Sequence, residues 1–300
     1  MKKKLLLFIL SVLFISAFAL NFYNPLGPSL LPAAGLYIEP IEGLETKFWR
    51  SLDEAQTLVI KEQADFIVLP VAFGVQLMNR DVNYKLAGVS LWKTFSLISS
   101  KDVKSIEDLE GKTIYTIQGP GQTADLVLKI LKEERNLDVN IHYITNGADI
   151  IQLLASGKAD YAVLPEPFAS LAEVKTQGNV KVVMDIEQLY SQLTNLQPII
   201  PITGLFVRGD IEHNEAKKVI DAYSNSANLF FNNYNNEAIE YVVETMGGKM
   251  PKPVMQKAAE RSIIKYDVDK ETINSFLEVI KNYGIIDKIP ENLYYWIDRF

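Results

Sequence analysis

Apolar and polar positions divide the chain into short strand-like and helix-like runs that recur in the same order twice. Residues 66–69 and 161–164 are unbroken apolar runs, the pattern of parallel strands buried on both faces. They sit inside two similar segments, 64–73 and 159–168, in which six of ten positions are identical at a constant offset of 95. Upstream, Gly27-Pro28 is echoed by Gly119-Pro120 at an offset of 92. A short strand-like run precedes each Gly-Pro (residues 21–23 and 113–117), and a helix-like run follows each (30–37 and 123–134). A solenoid needs about three or more repeats; two repeats predict two similar lobes.

The later pieces of each lobe complete the order strand, turn, helix, strand, helix, strand. They are residues 46–49, 52–62 and 66–69 in the first lobe, and 140–144, 148–155 and 161–164 in the second. This alternation predicts an α/β fold with a mostly parallel sheet in each lobe, flanked by helices and built from right-handed crossovers. Solutes in such folds bind beyond the carboxyl ends of the strands, where both Gly-Pro and both Leu-Pro turns fall. A long extended stretch, 85–100, is expected to carry the chain into the second lobe, and 203–208 to carry it back. Two crossings make a hinge that permits closure on a ligand. Amphipathic helical patterns follow at 214–233, 237–246, 252–265 and 270–282, then an aromatic tail ending Tyr294-Tyr295-Trp296. The expected division is therefore 20–97 with 203–300 as lobe 1, and 98–202 as lobe 2.

The first residues fall outside this scheme. Lys2, Lys3 and Lys4 precede an apolar run, and Ala17-Phe18-Ala19 supplies small residues where a signal peptidase reads, so residues 1–19 are expected to be a cleaved secretory signal. The run is shorter than the ~20 residues of a comfortable membrane span. The chain has no cysteine, which excludes a lipid anchor on a thiol, disulfides, thiolate metal sites and a thiol nucleophile. A periplasmic or secreted protein with no membrane insertion after cleavage follows as the expectation. Without the signal lysines, 27 basic residues face 37 acidic ones, a net of −10 that repels phosphate backbones and argues against nucleic acid as a partner.

Several motifs together carry a family resemblance. They are the Gly27-Pro28-Ser29 turn, the crossing stretch ending Phe95-Ser96-Leu97-Ile98, residues 105–114, Gly119-Pro120-Gly121, residues 155–160 and Glu166-Pro167. The chain resembles the NMT1/THI5-like (SsuA-like) periplasmic substrate-binding proteins of ABC importers, over nearly the whole mature length. The resemblance implies a type II periplasmic-binding-protein fold, a small-molecule ligand, an ABC permease with its ATPase as partners, no cofactor and a monomer. The solutes it implies are sulfonates, nitrate-like anions or thiamine-precursor pyrimidines. The missing lipoprotein cysteine departs from the family pattern.

The expected pocket combines helix starts, strand ends and one aromatic. Helix N-termini expose unpaired N–H groups and attract anions or polar acceptors. Two such starts, Ser29-Leu30 and Gln118-Gly119 with Gly121-Gln122-Thr123, are expected to face each other; Ser29 and Thr123 serve equally as caps. Val71, Ala72, Glu166 and Pro167 follow the two Leu-Pro strands, and Thr203 opens the return strand. Glu166 suits a ligand nitrogen, or else is surface charge at a helix start. Trp92 is the best stacking surface, ahead of Trp49 and Tyr23, with core packing as the alternative for all three. Lys93 points away from Trp92 if the stretch is a strand.

An enzyme is not expected. His142 and His213 lie far apart, no paired histidine spacing points to a metal, and no Gly-x-Ser-x-Gly elbow occurs. Same-fold enzymes of thiamine or menaquinone precursor synthesis work in the cytoplasm, which the signal opposes. A ligand sensor for a membrane receptor stays open beside transport.

Overall fold

The computed structural model describes residues 19–27, 29–233, 236–245 and 250–295. Most of the expected signal segment, Pro28, Met246 and Trp296 lie outside them. No helix among the described residues is long and apolar enough to cross a membrane.

The first half of the repeat folds as β1 (Leu20–Pro25), α1 (Leu30–Ile38), β2 (Leu44–Trp49), α2 (Leu52–Ile60), β3 (Phe66–Pro70) and α3 (Val71–Met78). The second folds as β6 (Thr113–Thr116), α4 (Thr123–Arg135), β7 (Asn140–Tyr143), α5 (Gly147–Ala155), β8 (Tyr161–Pro165) and α6 (Phe168–Lys175). Between them run β4 (Tyr84–Lys93) and β5 (Phe95–Ser99). After them come β9 (Lys181–Asp185), α7 (Ile186–Thr194) and the return strand β10 (Thr203–Arg208). The chain closes with α8 (His213–Asn233), α9 (Asn236–Thr245), α10 (Lys252–Arg261), β11 (Ile263–Asp267) and α11 (Lys270–Asn282).

Two sheets result, ordered β11-β4-β10-β3-β1-β2 and β7-β6-β8-β5-β9. Within each, the repeated strands lie in the order second, first, third and run parallel. An antiparallel crossing strand then joins the third: Thr203 of β10 lies opposite Pro70, and Phe95 of β5 opposite Pro165. The two prolines are the equivalent positions of the sequence repeat, so the repeat extends to where each crossing strand docks.

The sheets are mixed, with most strands of each running in one direction, as the alternation of strands and helices leads one to expect. Against the repeated strands run β10 and β11 in the first sheet and β5 in the second, while β4 and β9 run with them. The stretch 85–100 is not one strand. It breaks at Thr94, and β5 pairs in the second sheet, so the chain changes sheets before the boundary expected after residue 97. The helix expected over 252–265 ends at Arg261, because Ile263–Asp267 pairs with the edge of β4. Its branched and aromatic side chains suit a strand better than a helix.

Local signals account for several boundaries. Ser51 caps α2 by accepting from the Glu54 amide at 3.2 Å, while the Glu54 carboxylate accepts from the Arg50 amide at 2.8 Å. Asn146 caps α5 at 3.0 Å and Asp269 caps α11 at 3.1 Å. Apolar residues on the two faces of the first sheet divide between two clusters. Phe22, Val68, Leu205 and Val207 pack with Leu36, Val219 and Tyr223 of α1 and α8. Ile67, Leu69 and Phe206 pack in the cluster that continues through the second lobe. Gly74 on α3 lies over the Phe206 ring, where an added Cβ would come within 2.1 Å of it.

Candidate functional site: the cleft between the lobes

A cavity of about 30 Å³ lies where α3 and α4 begin. The first lobe contributes Pro70, Ala72, Phe73 and Gln76, and the second Pro120, Gly121, Gln122 and Thr123. Pro201 and Ile202 enter from the return connection, Leu52 from α2 and Phe276 from α11. None of these lining residues is acidic or basic. A space this small holds about a water rather than a solute. Gln76 is tied back to the C-terminal segment, donating to the Ile285 carbonyl at 2.8 Å.

The turn that leads into α4 engages the amides that precede the helix. The Gln118 amide donates to Thr116 Oγ1 at 3.1 Å and the Gly119 amide to Gln122 Oε1 at 2.9 Å. The Gly121 amide, in a residue with φ of 81° that suits glycine, donates to Asp125 Oδ2 at 2.6 Å. Asp125 is 0% exposed; it also accepts from the Tyr143 hydroxyl at 2.6 Å and pairs with Lys129 at 2.8 Å. The partial positive charge of this helix start therefore meets the chain's own carboxylate.

The corresponding turn of the first lobe is different. α1 has no acid in its first turn, and Ser29, which is buried, makes no side-chain capping bond. The Leu30 amide donates to the Gly27 carbonyl at 3.0 Å. Two buried side-chain oxygens nearby have no hydrogen-bond partner: Asn24 Oδ1 at the end of β1 and Thr203 Oγ1 at the start of β10. Asn24 is 0% exposed and Thr203 5%. Strand alternation puts Asn24 on the face of Phe22, and Thr203 on the face of Leu205 and Val207, so both share the α1 side of the sheet. The Asn24 amide nitrogen donates to the Pro25 carbonyl at 2.8 Å, which fixes the oxygen as the free end. Sequence reading missed Asn24. Its signal was an amide placed just before the Gly-Pro turn.

The other expected pocket residues lie around this cleft in less available positions. Val71 is fully buried and its amide donates to the Ile202 carbonyl at 3.0 Å. Trp92 is enclosed, its indole N–H on the Lys265 carbonyl at 3.0 Å and the Lys265 ammonium 5.5 Å from its ring centre. Trp49 is likewise buried, with its indole N–H on the Val68 carbonyl at 3.1 Å, and Lys47 lies 5.8 Å from the Tyr23 ring. Ser29, Leu30, Val71, Trp92, Gln118, Gly119, Glu166, Pro167 and Thr203 are not part of the 30 Å³ cavity's wall, whereas Ala72, Gly121, Gln122 and Thr123 are.

Glu166 sits instead at the start of α6, 1% exposed, accepting from the Ser170 amide at 3.0 Å and pairing with Arg261 of α10 at 3.4 Å. Burial raises its pKa, and its bonds to Ser170 and Arg261 only partly offset that. Arg261 also holds Glu173 at 2.7 Å, with Lys257 at 2.7 Å. Burial pushes Glu173 up, but these cations outweigh it and hold it below the usual range. Beside this network, Thr94 at the crossing is gripped from two sides. Its carbonyl accepts from the Glu166 amide at 2.8 Å, and Glu187 Oε1 accepts from the Thr94 and Phe95 amides at 2.9 and 3.1 Å. Glu187 is fully buried, and burial pushes its pKa up to about 7 despite those bonds. Lys93 turns away from Trp92, as alternation required, and pairs with Asp185 at 2.6 Å.

Two mixed sheets, joined by antiparallel crossing strands and closing on a cleft of helix starts, define the two-lobed periplasmic-binding-protein fold. The chain belongs to the family described as menaquinone biosynthesis, whose model matches residues 50–281. No curated protein matches the sequence. Among solved structures, an ABC transporter from Parabacteroides distasonis is 25% identical, with a TM-score of 0.78 over 94% of this chain and 100% of that one. The periplasmic aliphatic sulphonate binding protein SsuA from Escherichia coli is 14% identical, with a TM-score of 0.72 over 94% of this chain and 95% of its own. The zinc-bound ligand-binding component of an ABC-type import system from Staphylococcus aureus is 12% identical, with a TM-score of 0.71 over 92% and 96%. The SsuA-like resemblance read from the sequence thus holds at the level of fold.

Proposed function

We propose that this chain is an extracytoplasmic solute-binding protein that captures a small organic molecule between its lobes and presents it to the permease and ATPase of an ABC importer. The observation that carries this reading is the cavity wall itself. The start of α3 in the first lobe, the start of α4 in the second and the return connection converge on one uncharged space. A molecule touching both lobes favours the closed arrangement only if it binds that arrangement more tightly. The pocket in this reading takes in Ser29, Leu30, Ala72, Gln118, Gly119, Gly121, Gln122, Thr123 and Thr203. Of the two solute classes expected from the sequence, a nitrogen heterocycle fits better than a sulfonate-like anion. Asp125 already occupies the α4 start, and the described cavity wall offers no cation.

The family match favours a second reading, an enzyme acting in menaquinone precursor synthesis. Against it stand the hydrophobic wall, whose side-chain chemistry is confined to Gln76, Gln122 and the Thr123 hydroxyl, and the placement of the histidines. His142 packs beside Tyr115 on the edge strand β7, and His213 opens α8. Small-angle scattering of the protein titrated with a pooled metabolite library tests closure. A smaller radius of gyration at saturation is expected; an unchanged radius alongside measurable binding contradicts it.

A further inference from the structure

We propose that a second site, between α7 and α11 and outside the cleft cavity, takes a small protonated aliphatic amine; this site is independent of the solute-binding reading. A cavity of about 380 Å³ lies where α7 ends, α11 begins and the return connection passes. Its volume suits a small organic molecule, and it shares no lining residue with the cleft cavity. α7 follows the last strand of the second sheet and α11 follows the edge strand of the first, so an occupant touches both lobes. The buried wall is Tyr190, 1% exposed, whose ring meets Phe276 edge-on with centroids 6.3 Å apart. The Tyr190 hydroxyl has no hydrogen-bond partner. Thr194 Oγ1 instead serves the backbone, donating to the Tyr190 carbonyl at 2.8 Å and accepting from the Leu196 amide at 3.3 Å. Buried polar atoms are nearly always paired, because an unmade hydrogen bond in the interior is costly. An unpaired hydroxyl on a residue that walls a cavity marks a partner from outside the chain.

Charge decides the class of that partner. Asp269 and Glu271 line the cavity, and no lysine, arginine or histidine does. The Thr272 hydroxyl and amide donate to Asp269 at 2.7 and 3.1 Å and hold its carboxyl below the usual range, so it is ionised at neutral pH. The α11 start adds about half a positive charge, which two carboxylates outweigh. Lys265, close enough to act on Asp269, is itself paired with Asp267 at 3.0 Å. An anion is therefore opposed here and a cation attracted. A metal ion is a poor match, because no group of three or more histidine, cysteine or carboxylate ligands comes together among the described residues. An ammonium group supplies three N–H donors, which suit both carboxylate oxygens and an unpaired hydroxyl. Leu196 and Ile199 offer apolar surface to an alkyl stem.

The test combines affinity with stability, because a structural role and a ligand role move them differently. The probe is 1,4-diaminobutane, with 1,4-butanediol as its uncharged match and magnesium as a plain divalent cation. Each is titrated calorimetrically at pH 7 into wild type, Glu271→Gln and Tyr190→Phe, and unfolding midpoints are measured without probe. The expected result is one diamine bound per wild-type chain, weaker binding of the diol and of magnesium, and about tenfold loss of diamine affinity in each variant. The Tyr190→Phe midpoint should equal or exceed the wild-type value, since the hydroxyl it removes is unpaired. No diamine binding overturns the proposal, as does unchanged affinity in either variant. Diol or magnesium binding as tight as the diamine's overturns the ligand class. A fall in the Tyr190→Phe midpoint marks the hydroxyl as structural and overturns the site. Solute binding in the cleft stands or falls separately, on the scattering experiment.

Discussion

The α1 and α4 starts occupy equivalent places in a sequence repeat, yet they have opposite polar economies. Ahead of α4, Thr116, Gln122 and Asp125 take up the Gln118, Gly119 and Gly121 amides, and the buried carboxylate is itself held by Tyr143 and Lys129. At α1 the position equivalent to Asp125, by the same offset of 92, is Ala33, fully buried and apolar. There the unmatched groups are oxygens, Asn24 Oδ1 and Thr203 Oγ1. One helix start thus carries its own buried acid and the other does not. Fold duplication preserves strand order and register, while the polar groups inside the two turns differ.

Breaking the α4 side should cost most. Asp125→Ala strands the Gly121 amide and the Tyr143 hydroxyl and should lose about 3 kcal/mol of stability in chemical denaturation. It also makes this turn resemble α1, so methanesulfonate should raise its melting temperature more than that of the wild type. The crossing between the halves should respond to pH through Glu187. Its pKa is raised from 4.5 to about 7, so its contribution to stability is fully present below about 4.5 and is lost as pH rises through about 7. The change is on the order of 3 kcal/mol between those limits, and Glu187→Gln should abolish it in unfolding curves taken across that range.

Arg261→Ala leaves Glu166 without its cation. The cost should be about 2 kcal/mol, below that of a fully buried pair, because Arg261 is partly exposed and Lys257 remains on Glu173. The smallest shift belongs to the α1 side. Thr203→Val should gain up to about 1 kcal/mol without ligand, an inverse of the Asp125→Ala result measured by the same denaturation.

How much of this was legible in the sequence follows from what each feature depends on. The repeat was legible because identical residues at a fixed offset occupy identical places, down to Pro70 and Pro165 opposite the two crossing strands. The break at Thr94 was not, since β4 and β5 are both apolar runs and only pairing distinguishes them. Strand β11 was absorbed into a helix because Ile263 and Ile264 continue an amphipathic pattern whose partner, β4, lies far away in the chain. Ala72, Gly121, Gln122 and Thr123 could be placed at the cleft by strand-end reasoning. Glu166 could not, since its cation, Arg261, lies 95 residues away in sequence. Asn24 was missed because an unpaired atom is a property of everything around it.

The most direct test of the central claim is native mass spectrometry of the protein incubated with a metabolite pool, followed by release and identification of what is bound. The account predicts one neutral, nitrogen-bearing ring compound per chain, released chemically identical to the form supplied. Release of a converted product would contradict it and point to catalysis, and a bound sulfonate or nitrate would contradict the preference for a nitrogen heterocycle.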